Sequence, residues 1–103
     1  KSAPVLIVVV GDPKKTGLDA FLEEGMVGYQ YACAAAIQNM HLTAHALGYA
    51  TLWFTLYDKK NLRKILDIPA DKSPLSIVCL GKAEGDIPAP PRKEAKDRTR
   101  FIR

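Results

Sequence analysis

The sequence predicts an α/β-type domain in which a mixed sheet is packed by one long, buried helix. Three observations carry that reading. VLIVVV at residues 5–10 is a continuous β-branched run, the pattern of a strand covered on both faces. Residues 29–47 carry apolar side chains at helical spacing and stop at a glycine. YATLWFT (49–55) and LSIVCL (75–80) have strand character and flank a short helical segment.

Taken in order, the first strand ends at Gly11-Asp12-Pro13, and residues 14–18 form a polar connection. Residues 18–24 read as a short helix or ordered loop, interrupted by Gly25 and Gly28. In the long helix, Cys33, Ala36, Ile37, Met40, Ala44 and Leu47 form one apolar stripe, and Ala32, Ala35, Leu42 and Ala46 a second. Only Gln38, His41 and His45 share a polar edge, so the helix must be wrapped by other elements or by another subunit. Gly48 fits the position after the helix, where a left-handed backbone costs glycine least. Asp58 can cap a helix over residues 59–66, which stops before Pro69. From Gly81 onward the chain is proline-rich and charged and reads as an extended arm.

A chain of 103 residues makes one domain at most, and such a chain buries only roughly 60–70% of its unfolded surface. With 48% hydrophobic and 25% charged residues, the composition is that of a globular protein. No apolar run approaches the ~18–20 residues of a membrane span, and residues 4–10 are too short for a signal peptide. The chain opens on lysine and enters a core-type strand almost at once, which suggests a piece of a longer protein. The net charge of +4 lies mostly near the C-terminus, with seven Lys or Arg from Lys82 onward. These cations alternate with Glu84, Asp86, Glu94 and Asp97 and lack stacking aromatics, which argues against nucleic acid and for a solvated or subunit-clasping arm. Cys33 and Cys79 lie in apolar contexts without metal-type spacing and read as reduced thiols of a cytoplasmic protein; spacing leaves a disulfide open.

Ready-made chemical motifs are missing. His41 and His45 stand four apart, but Leu42 occupies the place of a zinc-protease glutamate, and no third ligand is evident. Gly11-Asp12-Pro13 is not a dinucleotide fingerprint, and Gly81-Lys82 is not a P-loop. Ser2, Ser73 and Ser76 have no nucleophile elbow, and Cys33 lies on the core stripe.

The pattern Gln38-Asn39-Met40-x-Leu42-x-Ala44-x-x-Leu47-Gly48, leading into Tyr49-Ala50-Thr51-x-Trp53, resembles the nitroreductase family. Three more segments resemble it in the same order: Ala3-Pro4 before VLIVVV, LRKILDIP at 62–69, and Leu80-Gly81 followed by Pro91-Arg92. The resemblance implies an intertwined homodimer that holds FMN at the subunit interface. It implies a core over residues 1–80 with residues 81–103 as the arm of the same domain. The implied reaction passes hydride from NAD(P)H through FMN to a small acceptor such as a nitroaromatic or quinone, with no side chain needed as acid or base. Phe54, Thr55 and Leu56 match the stretch whose backbone N–H groups approach flavin N5, and Arg92, with Lys93, matches the phosphate-binding position on the arm. The chain departs from the family in three places: the Arg- and Ser-rich N-terminal segment is not present, Ala32 stands near an acidic position, and Thr55-Leu56 replaces frequent glycines. The alternative reading is a non-catalytic flavin-holding or dimerisation module of the same fold.

Overall fold

The computed structural model describes residues 5–14, 19, 21, 22, 28–83, 85 and 88–102. Its elements are strand β1 (Val5–Gly11), helix α1 (Gly28–Ala46), strand β2 (Ala50–Phe54), helix α2 (Lys59–Leu66) and strand β3 (Ser73–Gly81), followed by a 3-10 turn at Ala95–Arg98. Ala3-Pro4 and most of the expected 18–24 segment lie outside the described residues.

The strands form one sheet in the order β1-β3-β2. Both pairings are antiparallel, so the expected mixed sheet is corrected to an antiparallel one among the described residues. β3 begins earlier than its apolar run, at Ser73-Pro74, because Val10 and Gly11 extend the ladder to Pro74 and Ser73. Proline cannot donate to a ladder and enters a central strand only at an irregularity. The register accordingly shifts between Val9 and Val10, opposite Pro74.

Helix α1 crosses one face of this sheet. Ile37 and Ala44 are buried, and Tyr29, Cys33 and Met40 are half-buried on the same side. Gly11 lies beneath the first turn, where a Cβ would stand 2.5 Å from the Tyr29 ring and 3.1 Å from the Cys33 sulfur. The Asp19 carboxylate accepts from the Gly28 N–H at 2.6 Å, satisfying one of the helix's otherwise unpartnered N-terminal donors. The helix ends as the sequence predicts: Gly48 adopts φ +85°, and the Tyr49 N–H reaches back to the Ala44 carbonyl at 2.9 Å. Asp58 caps α2 through the N–H groups of Lys60 and Asn61, at 3.0 and 3.3 Å.

Within this single chain, other elements cover only part of the long helix. Ala32, Ala35, Leu42 and Ala46, the second stripe, are exposed, and Ala36 and Leu47 of the first stripe are exposed with them. The sheet face away from α1 is also open and apolar. Strand alternation places Leu6, Cys79 and Leu52 in one row there and Val8, Ile77 and Phe54 in the next. On α2, Ile65 and Leu66 are exposed as well. The accessible surface is 8804 Å², whereas a compact globular chain of 11.3 kDa exposes about 5,700 Å². The radius of gyration is 17.2 Å against about 13 Å for a compact domain of this length. The molecule has the shape of a component, with about 3,000 Å² more surface than a self-sufficient domain carries.

Candidate functional site

The site is built around β2. Its residues Thr51 and Trp53 point toward α1, while Leu52 and Phe54 point to the opposite face. β2 is an edge strand paired only with β3, and its ladder ends at the Phe54–Ile77 pair. The chain then runs without regular structure through Thr55, Leu56 and Tyr57 to the Asp58 cap. No turn or cap hydrogen bond among the described residues uses the N–H of Thr55 or Leu56. The two N–H groups are thus free of the ladder, beside the exposed side chains of Phe54 and Leu56.

Three side-chain contacts fix the other side of β2. The His41 Nδ1 and Thr51 Oγ1 are 2.5 Å apart, joining α1 to β2. The His41 ring lies 6.3 Å from the Trp53 ring, tilted by 37°. Trp53 Nε1–H donates to the Ser76 hydroxyl at 2.5 Å, joining β2 to β3 across a buried serine. The run His41–Thr51–Trp53–Ser76 therefore connects helix, edge strand and central strand inside an otherwise apolar interface. His41 was assigned from sequence to the polar edge of the helix. Its spacing from Ile37 and Ala44, four before and three after, is the signal that turns it inward. His45 remains exposed, and no group of metal-ligating side chains occurs among the described residues.

Tyr57 follows Leu56 directly. Its hydroxyl is buried and has no hydrogen-bond partner among the described residues, and that burial raises its pKa above the usual 10.0. A buried hydroxyl without a partner is costly, so this oxygen is poised to accept one from outside the described residues. Arg92 and Lys93 lie in the exposed run 88–102, before the 3-10 turn. No contact among the described residues joins them to Phe54, Thr55 or Leu56, which stand together only as neighbours along the chain.

Other concavities flank the strands. A cleft of about 500 Å³ opens between α1 and the sheet, lined by Ile7, Met40, Ala44, Tyr49, Thr51 and Leu80 among others, and none of the five sequence-predicted residues lines it. At the far end of the β1–β3 pair, Lys72 Nζ binds Asp12 at 2.9 Å and Asp71 at 3.4 Å. The hydrogen bond from Lys72 holds the Asp12 carboxyl below its usual value, and the Asp12 carboxylate raises Lys72 in return. Both cysteines are free: Cys33 packs toward Gly11 on α1, and Cys79 lies on the opposite sheet face, which answers the disulfide question left open by spacing.

Comparison with known proteins identifies the family and the fold. The Nitroreductase family pattern matches residues 1–82. A relative from Archaeoglobus fulgidus, provisionally named an NADH dehydrogenase/NAD(P)H nitroreductase, is 34% identical over 86 residues, 78% of this chain and 45% of the relative. The chain thus spans less than half the length of that relative. Among solved structures, the nitroreductase family protein from Streptococcus pneumoniae TIGR4 superposes with a TM-score of 0.83 at 14% identity, covering 98% of this chain and 66% of that one. An oxidoreductase described as containing FMN superposes with a TM-score of 0.66 at 23% identity, over 81% of this chain and 41% of that one. These two structures share the fold.

Proposed function

We propose, from the premise that this chain belongs to the nitroreductase family, that it forms part of an FMN-dependent oxidoreductase. The enzyme moves hydride from NAD(P)H to a small acceptor such as a nitroaromatic or a quinone. The observation that carries the reading is the ladder-free pair of N–H groups on Thr55 and Leu56, at the open end of an edge strand. The residues present fit a flat heteroaromatic group with an acceptor at its rim, since donors, apolar surface and the unpartnered Tyr57 hydroxyl lie along one short segment.

When bound, FMN would supply the hydride-transfer chemistry between NAD(P)H and the acceptor, and the residues of this segment would hold and orient it. The N–H groups of Thr55 and Leu56 donate to the rim of the ring and favour the gain of negative charge there. Phe54 and Leu56 offer apolar surface that would shed water when covered. Arg92 grips the phosphate through paired charged hydrogen bonds, and Lys93 adds a second positive charge. No side chain of this segment has to carry a proton. The exposed α1 stripe and the arm at residues 81–103 engage a second copy, forming an intertwined homodimer in the cytoplasm, with residues 1–80 as its core.

Absorption spectroscopy tests the proposal. Protein mixed with FMN and freed of excess should keep bands near about 370 and 450 nm that NAD(P)H bleaches. A folded dimer that keeps no flavin overturns it. The second reading is a flavin-holding or dimerisation module of the same fold without turnover. Retained flavin without acceptor-dependent NAD(P)H oxidation selects that module.

A further inference from the structure

We infer that His41 is a positioning residue, holding the edge strand β2 so that the N–H groups after Phe54 keep a fixed direction; the inference rests on the flavin reading for what those N–H groups meet. An edge strand has a ladder on one side only, and β2 is five residues long, so its ladder alone constrains it weakly. Both of its α1-facing side chains are tied instead. Thr51 is held by His41 at 2.5 Å, and Trp53 is held by Ser76 at 2.5 Å while its ring meets the His41 ring. His41 meets both anchors, Thr51 by hydrogen bond and Trp53 ring to ring. It lies beside Ile37 and Ala44, the buried residues of α1, so the pin is set in the best-packed part of the helix.

The arrangement is specific to the side chain. The imidazole presents one nitrogen to a hydroxyl and its ring to an indole, which alanine cannot do and which glutamine does in part. Titratable neighbours are few: His45 lies one turn on along α1, and Tyr49 precedes β2. The helix-facing residues Ile7, Val78 and Leu80 of β1 and β3 carry no charge. The strand therefore reads the presence of His41 rather than a surrounding field. Trp53 is the only tryptophan of the chain, so its emission reports the pin without any cofactor.

The experiment compares wild type with His41→Ala, Thr51→Val and His41→Gln, the last two keeping volume. Acrylamide quenching of Trp53 and hydrogen exchange at Thr55 and Leu56 are measured without flavin, and FMN affinity by titration. His41→Ala and Thr51→Val should both raise quenching and speed exchange, and weaken FMN binding about fivefold, as expected of one lost hydrogen bond. His41→Gln should restore most of both. Unchanged quenching and exchange in His41→Ala and Thr51→Val overturn the inference. A wild-type chain that takes up no FMN refutes the flavin reading instead, while the tryptophan and exchange measurements still decide the pin.

Discussion

Leu42→Glu separates a helix that faces water from one that faces a second copy. Leu42 is 60% exposed and lies on the α1 stripe with Ala32, Ala35 and Ala46, all exposed. If that stripe faces solvent, the substitution is a surface change, within about 0.5 kcal/mol of neutral. If it packs against a twofold-related copy, each Leu42 buries its remaining surface, about 1–2 kcal/mol, and the symmetry doubles that to about 2–4 kcal/mol. Two glutamates at the same place add several kcal/mol of desolvation. The sum exceeds about 5 kcal/mol, so the dimer dissociation constant should rise at least a thousandfold, roughly 1.4 kcal/mol being tenfold. Sedimentation equilibrium reads that constant directly. The melting temperature of the wild type should climb with protein concentration, whereas that of the variant should be lower and flat. A variant that sediments as the wild type does, or a wild type whose melting temperature ignores concentration, refutes the reasoning.

Ile37→Ala empties a fully buried position against the sheet and should cost about 2–5 kcal/mol, lowering the melting temperature by at least about 8 °C in thermal scans. Leu56→Pro deletes one N–H outside the ladder, so circular dichroism should be unchanged while FMN retention is lost; retained flavin would move the floor elsewhere. Asp12→Asn tests the clamp at the end of β1. Because Asp12 is held low, its contribution is present above the ordinary carboxylate range and fades as pH falls through the depressed folded value. Because Lys72 is held high, the same pair fades again as pH rises through the raised lysine value. The difference in melting temperature between wild type and Asp12→Asn should therefore be largest at intermediate pH and vanish at both extremes.

What the sequence made legible were features set by neighbours along the chain. Gly48 and Asp58 were read correctly because caps depend on a few adjacent residues, and β2 and α2 fall within a residue of their predicted limits. Strand direction was not legible, because VLIVVV reads the same in a parallel or an antiparallel sheet once both faces are apolar. The start of β3 was missed since Pro74 argues against a central strand until the shift opposite Val10 is known. In the candidate site, Phe54, Thr55 and Leu56 followed from the resemblance, while His41 was passed over as a polar edge although its spacing from Ile37 turned it inward. Apolar stripes on α1 were identified, yet hydrophobicity alone cannot say which stripe meets the sheet and which meets something else.

Among the described residues, the order β1-β3-β2 leaves two strand edges unpaired, beside a largely apolar sheet. To such an edge, another molecule's VLIVVV run is as good a template as its own β3, with high β-propensity and no charge to interrupt it. Folding of this chain is therefore a race between capture and self-association. Its yield depends on how long newly made molecules wait, at what concentration, before their edges and faces are covered. Slow synthesis at low temperature, or production alongside whatever covers those surfaces, should recover soluble protein where rapid production of the chain alone fills inclusion bodies.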